Sequence, residues 1–226
     1  MKKKINEICF LIPAYNEENT IIDIIKRLKK LGDVLVVDDS STDLTNQRSK
    51  RAGAKVIKHK FNLGYDECIT TGFRYALYFK YKFLVSLDAD GQHRHKDVKK
   101  ILYYLNKDNI IVYGNRKKKQ RFAENFFSIY SNFFYGVRDP LCGLKGYNLK
   151  FFKSKSLYSK NYIGTRYLIN VKKKKLKTKE IDIKTNKRVD WSRFGESIHG
   201  NLKIFKVLLF IIIKEIQTAL IFKKEL

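Results

Sequence analysis

From residue 7 to residue 113 the chain alternates short apolar, β-branched runs with longer stretches of helical period. Such a chain buries its runs best as a parallel sheet covered by helices. The runs are "EICFLI" (7 to 12), "VLVV" (34 to 37), "AKVI" (54 to 57), "FLVSL" (83 to 87) and "NIIVY" (109 to 113). Between the first two, "EENTIIDIIKRLKKL" (17 to 31) gathers Ile21, Ile22, Ile25, Leu28 and Leu31 on one helical face, and 66 to 80 and 95 to 105 have a similar period. The 226 residues are 44% hydrophobic, enough for one large core, which excludes a disordered chain. Past residue 114 the alternation stops: a basic loop "NRKKKQR" (115 to 121) leads into the aromatic "FAENFFSIYSNFFYG" (122 to 136) and then "RDPLCGLKGYN". An antiparallel addition is the simplest continuation. The expectation is an α/β fold with a mixed, mainly parallel, Rossmann-like sheet. One domain would span 1–200, with an appended helix over 201–226.

Charge narrows the partners. Lys and Arg total 48 against 22 Asp and Glu, a formal net charge of +26, which calls for an anionic partner such as a phosphorylated substrate, an acidic membrane or nucleic acid. Part of the excess, such as "KKKK" at 172 to 175, reads as a solvated face. Cys9, Cys68 and Cys142 are far apart and odd in number, which suits a reducing, cytosolic setting better than a disulfide framework. The basic start runs into Pro13 and then charge, so it reads as a first strand rather than a signal peptide. The final stretch, "NLKIFKVLLFIIIKEIQTALIF" (201 to 222), is interrupted by Lys203, Lys206, Lys214 and Glu215. Its longest apolar run, 207 to 213, is too short for a bilayer, which needs roughly 20 residues. On a helical projection Lys203, Lys206, Lys214, Gln217 and Thr218 gather on one side, and Ile204, Leu208, Ile211, Ile212, Ile216 and Leu220 fill the rest. This is the pattern of a helix lying on an anionic membrane surface at its cytoplasmic face, with Phe126, Phe127, Tyr130, Phe133 and Phe134 as a second interfacial surface. The same pattern suits a terminal helix packed on the sheet, or an oligomer interface.

In open parallel sheets ligands bind beyond the carboxyl ends of the strands. Here those positions are acidic: "PAYNEE" (13 to 18), "DDSSTD" (38 to 43), "NLGYDE" (62 to 67) and "DADGQH" (88 to 93). Gathering like charges costs stability, so this clustering in a basic chain points to a function. Side chains at i and i+2 of a strand share a face, about 6 to 7 Å apart, which would pair Asp88 with Asp90. Oxygen donors so placed suit Mg²⁺ or Mn²⁺ held together with substrate phosphates, with Gln92 completing the shell. An acidic turn capping a helix is the plainer account of "DADG" alone, but two neighbouring acidic clusters favour the metal. No "GxGxxG" or "GxxxxGK[ST]" is present, so a metal would neutralise a bound diphosphate in place of a phosphate loop.

"IPAYNEE", "VVDDSSTD", "NLGYDECITTGF" and "SLDADGQH", in this order and spacing, resemble family 2 glycosyltransferases of GT-A fold. In the second half "GNR" (114 to 116), "DPLCGLKGYN" (139 to 148) and "RFGES" (193 to 197) resemble the dolichyl- or polyprenyl-phosphate hexosyltransferase branch. The resemblance implies that Pro13, Tyr15 and Glu17 line the nucleoside pocket with Asp38 and Asp39. It implies further that Asp88, Asp90 and Gln92 hold the metal, and that Arg116 and Arg193 face an acceptor phosphate. The chain departs from the branch at Cys142, where a hydroxyl residue is usual, and at Leu144 and Lys145, where Phe-Arg is usual. Phe127 stands where an Arg often precedes Ser131 by four residues, and "IGTRYLINV" lacks the branch's acidic segment.

The expected activity is therefore an inverting transfer of a hexose from a nucleotide diphosphate sugar to a polyprenyl-phosphate-type acceptor. The alternative is transfer to a hydroxyl of a cell-surface glycan or lipid-linked saccharide, which requires a base, with Asp139 as first candidate. Orienting the turn before Pro140 is the plainer role for Asp139. A nucleic-acid-binding protein rests on charge alone and is set aside. His59, His93, His95 and His199 read as surface or capping residues, with His93 alone near the chemistry, and Trp191 and Phe194 read as core or as a loop over the acceptor.

Overall fold

The computed structural model describes residues 7–119, 121–152, 163–186, 200–202 and 204–213. Six strands and five helices come first: β1 (Ile8–Ala14), α1 (Ile21–Leu28), β2 (Asp33–Asp38), α2 (Thr45–Arg51), β3 (Lys55–Lys58), α3 (Tyr65–Tyr78), β4 (Phe83–Ser86), α4 (His95–Leu105), β5 (Ile111–Arg116), α5 (Phe122–Tyr135) and β6 (Lys145–Asn148). A 3₁₀ turn at Leu149–Phe151, α6 (Ile163–Lys173) and β7 (Thr178–Ile183) follow. The five apolar runs are the first five strands. Within the described residues the seven strands form one sheet in the order β3-β2-β1-β4-β6-β5-β7. Every neighbouring pair is parallel except those involving β6, which runs antiparallel between β4 and β5. The mixed, mainly parallel sheet expected from the sequence is thus the fold.

Strand alternation divides the core into two layers. Cys9 and Leu11 of β1 point to one face, under α3 and α6, and Phe10 and Ile12 point to the other, under α1 and α4. On α1 the buried positions are Ile21, Ile24, Ile25 and Leu28, so Ile24 replaces the expected Ile22 and Leu31, which sit at the layer's margin. The helix α2, "TNQRSKR", carries no apolar stripe and was not legible from periodicity. The aromatic segment is the helix α5, ended by Gly136 at φ 62°, with the Gly136 amide bonded to the Asn132 carbonyl. A left-handed terminal residue of this kind is cheap only for glycine.

Pro13 sits in β1, a central strand, without breaking the ladder. Pairing with β4 stops at Leu11, whereas pairing with β2 runs on to Ala14, so Pro13 has a neighbour on one side only. Because β6 is antiparallel, its first residue, Lys145, faces Ser86 of β4 and Tyr113 of β5. The loop before it, residues 137–144, therefore lies at the carboxyl edge beside the loops that follow β4 and β5.

Residues 200–202 and 204–213 are helical. Val207 and Ile211 pack with Phe127 of α5 and Ile169 of α6, so this part of the terminal segment lies on the protein's own helices. Lys203 and residues 214–226, which carry the other polar positions of the projected helix, lie outside the described residues. No helix among the described residues is long and apolar enough to cross a membrane.

Close packing of α3 on β1 depends on Gly72, where an added Cβ would lie 2.2 Å from Leu11 Cδ2 inside the core. Gly72→Ala gains about 1 kcal/mol of helix propensity but overpacks a site where extra methyl groups typically cost about 1–3 kcal/mol. Urea denaturation should show Gly72→Ala destabilised, by up to about 2 kcal/mol net; a midpoint clearly above wild type would contradict this packing.

Candidate active site at the carboxyl edge of the sheet

Two loops form one side of the site. After β2, Asp38 is fully buried and holds its own loop, accepting from the Ser41 amide (2.9 Å) and from Asn46 Nδ2 (2.9 Å). The loop after β1 is stapled to it: Asn16 Oδ1 accepts from the Thr42 amide (2.8 Å), and the Glu17 amide donates to Thr45 Oγ1 (2.7 Å). Both loops contain a non-glycine residue in the left-handed region, Asn16 at φ 54° and Ser40 at φ 67°. Such strain persists where surrounding bonds over-determine the backbone, and it is commonest at functional sites. Glu17 is buried and Tyr15 is partly exposed at the mouth of this edge.

Asp39 faces the loop after β3. It accepts from the amides of Leu63 (2.9 Å) and Gly64 (2.7 Å) and contacts His59 Nδ1 at 2.8 Å. His59 Nε2 continues to Thr71 Oγ1 of α3 at 3.0 Å. His59 is thus a buried brace and not the surface residue expected from the sequence. Asp39, His59 and Cys68 bring one ligand atom each within 4.8 Å of one another, a spacing a metal ion accepts. Their chemistry favours a hydrogen-bonded brace. Burial, reinforced by the charge of Asp39, pushes the Cys68 thiol well above its ordinary range, and a protonated thiol is a poor ligand.

The other side is the β4–α4 turn. The strand ends at Ser86, so Asp88 and Asp90 lie in a turn and not on one pleated face, and the turn, not strand alternation, sets their spacing. Asp90 is buried and accepts from the Gln92 amide (3.0 Å). The Thr20 hydroxyl of the α1 N-terminus bonds the Ala89 carbonyl (2.5 Å), tying this turn to the loops after β1 and β2. The Gln92 carbonyl accepts from the Asn186 amide at 3.0 Å, which sets the chain just after β7 against the acidic turn. Arg193, with Trp191, Phe194 and the rest of "RFGES", lies outside the described residues.

Asp88 carries the densest set of interactions. Its Oδ2 is 3.2 Å from His93 Nε2, and its carboxyl group rests against Gly143, where a Cβ would fall 2.2 Å from Oδ1. Burial works to raise its pKa, but the His93 bond and the charges of His93, Arg116 and Lys145 outweigh it and hold the group ionised below its ordinary value. An ionised carboxylate in a cradle that any side chain would fill, beside Asp90 and Gln92, fits a hard divalent cation. Lys145 is itself buried, with Nζ donating to the Cys142 carbonyl at 2.6 Å, and burial lowers its pKa. Gly143, His93 and Lys145 were not identified from the sequence as partners of Asp88; only the spacing of His93, five residues on, hinted at one.

Arg116, at the end of β5, is committed elsewhere. Its Nε and Nη2 form a fork on the Asp139 carboxylate (2.8 and 3.0 Å), and Nη2 also reaches Glu124 Oε2 at 3.0 Å. Asp139 is buried, and although burial raises a carboxyl pKa, Arg116 and Lys119 together hold this one below its ordinary value. Phe127 is buried in the α5–α6 packing, and the Ser131 hydroxyl donates to the Val137 carbonyl at 2.7 Å, so both serve the helix rather than the edge.

The mixed sheet, with its acidic loops at the carboxyl edge, is a fold of GT-A type. Residues 9–154 match Glycosyl transferase family 2, and the chain belongs to that family. It is 33% identical over 223 residues to an uncharacterized protein of Methanocaldococcus jannaschii, covering 90% of this chain and 92% of that one. It is 29% identical over 239 residues to a UDP-N-acetylglucosamine–dolichyl-phosphate N-acetylglucosaminyltransferase of Methanococcus voltae, covering 90% and 95%. Among solved structures it resembles a glucosyl-3-phosphoglycerate synthase of Mycobacterium tuberculosis, crystallised with Mn²⁺, uridine diphosphate and phosphoglyceric acid. There the TM-score is 0.70 at 19% identity, over 89% of this chain and 77% of that chain. The protein is a glycosyltransferase.

Asp66, in the first turn of α3, has its pKa raised to about 6, chiefly by burial, with Lys145 opposing and Glu67 adding. A carboxyl group whose folded value exceeds its unfolded value, about 3.9, withdraws stability as pH rises from about 4 through about 6. Asp66→Asn should therefore match wild type near pH 4 and exceed it by about 3 kcal/mol at pH 7. Equal urea midpoints at both pH values would contradict the burial.

Proposed function

We propose that this chain moves a hexose from a nucleotide diphosphate sugar, with Mg²⁺ or Mn²⁺, to a polyprenyl-phosphate-type lipid at an anionic membrane surface. In this reading Pro13, Tyr15, Glu17, Asp38 and Asp39 hold the nucleoside, Asp88, Asp90 and Gln92 hold the cation, and Arg193 faces the acceptor, while Arg116, forked on Asp139, orients the loop on that side. The acceptor oxygen attacks the anomeric carbon as the bond to the diphosphate breaks, with inversion. A divalent cation, when bound, supplies positive charge to the departing diphosphate. The buried Lys145 amine lies beside Asp88, tied to the Cys142 carbonyl at 2.6 Å.

The observation that carries the lipid acceptor is an exposed apolar face beginning at this edge. On α5 it comprises Phe122, Phe126, Ile129 and Phe133, the last 82% exposed, at the spacing of one helical stripe. On the terminal helix Leu202, Phe205, Leu209 and Ile213 make a second stripe, and the rings of Phe126 and Phe205 are 6.1 Å apart. Exposed Lys117 and Lys118 stand just before α5, and Lys206 is exposed on the terminal helix, the flanking charge expected at anionic headgroups. The state of Asp139 supports an acceptor that needs no base. Paired with Arg116 and Lys119 and held below its ordinary range, it is a weak proton acceptor for a hydroxyl. The name of the Methanococcus voltae relative supports the same acceptor class.

The test is an assay with UDP- and GDP-sugars, Mn²⁺ and a polyprenyl phosphate in detergent. The expected product is a glycolipid whose formation stops in excess chelator. Asp90→Asn should retain its melting temperature and lose about 100-fold or more in rate. Transfer to a glycan hydroxyl with none to the polyprenyl phosphate would overturn the acceptor assignment. In flotation, wild type should rise with anionic vesicles, and Phe126→Ser/Phe133→Ser should rise less; a wild type that stays below at low salt would rule out the membrane surface.

A further inference from the structure

We infer that His93 is a positioning residue for Asp88, presetting the carboxylate for the divalent cation. This inference rests on the metal reading of the β4–α4 turn.

The side chain of His93 is 3% exposed, while that of Asp88 is 36% exposed, so the imidazole lies behind the carboxylate on its protein side. An ionised carboxylate only accepts, so the nitrogen at 3.2 Å, Nε2, carries the proton and donates to Oδ2. The other ring nitrogen, Nδ1, is buried and has no hydrogen-bond partner among the described residues. The ring lines a small pocket between α1 and α4 together with Ile24, Leu28, Val98, Arg27 and His95. A buried nitrogen left unpaired costs free energy that the His93–Asp88 contact must outweigh. A leucine would take the ring's place without that cost, so the donor at Nε2 is what sets histidine apart from an apolar residue here.

The consequence is preorganisation. Gly143 bounds the carboxyl group on one side and His93 holds Oδ2 from behind, so Asp88 reaches its rotamer before any cation arrives. Hydrogen bonds to a ligating carboxylate typically contribute 10–100-fold in metal affinity.

The test compares three variants by titrating Mn²⁺ alone, following the free ion by electron paramagnetic resonance. His93→Leu fills the volume without a donor, His93→Gln carries an amide N–H near the position of Nε2, and His93→Asn carries one too short to reach Asp88. We expect His93→Leu and His93→Asn to lose about tenfold or more in Mn²⁺ affinity, and His93→Gln to recover most of it. Melting temperatures of His93→Gln and His93→Asn should agree within a few degrees, which separates positioning from folding. Wild-type affinity in His93→Leu or His93→Asn overturns the inference, as does equal loss in His93→Gln and His93→Asn. Asp88→Asn is the control: if it loses Mn²⁺ while His93→Asn does not, the positioning role fails and the metal site stands. If Asp88→Asn binds as wild type does, both fail.

Discussion

Carboxylates gathered at one edge of a sheet repel one another, and the way each is neutralised organises the rest of this molecule. Asp38 is capped by its own loop, Asp39 by two backbone amides and His59, Asp88 by His93, and Asp139 by Arg116 and Lys119. Every one of these neutralising groups comes from a loop or strand end at the same edge. The loops are consequently tied to each other, and not merely to the strands they follow. A net charge of +26 leaves ample cations, yet the donors to Asp38 and Asp39 are mostly backbone amides, which neutralise without long flexible side chains.

The insertion of β6 brings the second half of the chain to this edge. Running antiparallel between β4 and β5, it starts where they end, so Asp139, Cys142, Gly143 and Lys145 all fall beside Asp88 and Arg116. The departures from the polyprenyl-phosphate branch are absorbed there. Cys142 is buried against Gly114, its thiol raised to about 12 by burial and by Asp139, so it acts as packing and not as a nucleophile. Phe127 joins Ile169, Val207 and Ile211, converting a position where a cation is usual into the anchor of the terminal helix.

That anchoring explains an ambiguity of the C-terminal pattern. A helix that is apolar on nearly all sides can satisfy two partners at once. Val207 and Ile211 face α5 and α6, while Leu202, Phe205, Leu209 and Ile213 face outward beside the exposed stripe of α5. Packing on the protein and presenting an apolar surface are therefore compatible here, where the sequence pattern set them against each other.

The sequence by itself determined the sheet and its acidic edge. Apolar runs of period two and helices of period 3.6 are local signals, and acidic clusters that follow each run must fall where parallel strands end. It did not reveal α2, whose polar surface carries no period, nor the slot that β6 occupies, because strand order is decided by pairing between distant segments. Nor did it reveal which groups hold the carboxylates. His59 lies 20 residues from Asp39, Asp139 lies 23 from Arg116, and Gly143 is 55 positions beyond Asp88, contacts that exist only once the sheet has assembled. Spacing placed Asp88 and Asp90 on one strand face, whereas the chain turns after Ser86, and the turn's own hydrogen bonds orient them instead. Local pattern thus chose the chemistry of the edge. Tertiary structure decided the charge balance, since neutralising a buried carboxylate requires a partner within a few ångströms, whatever its distance along the chain.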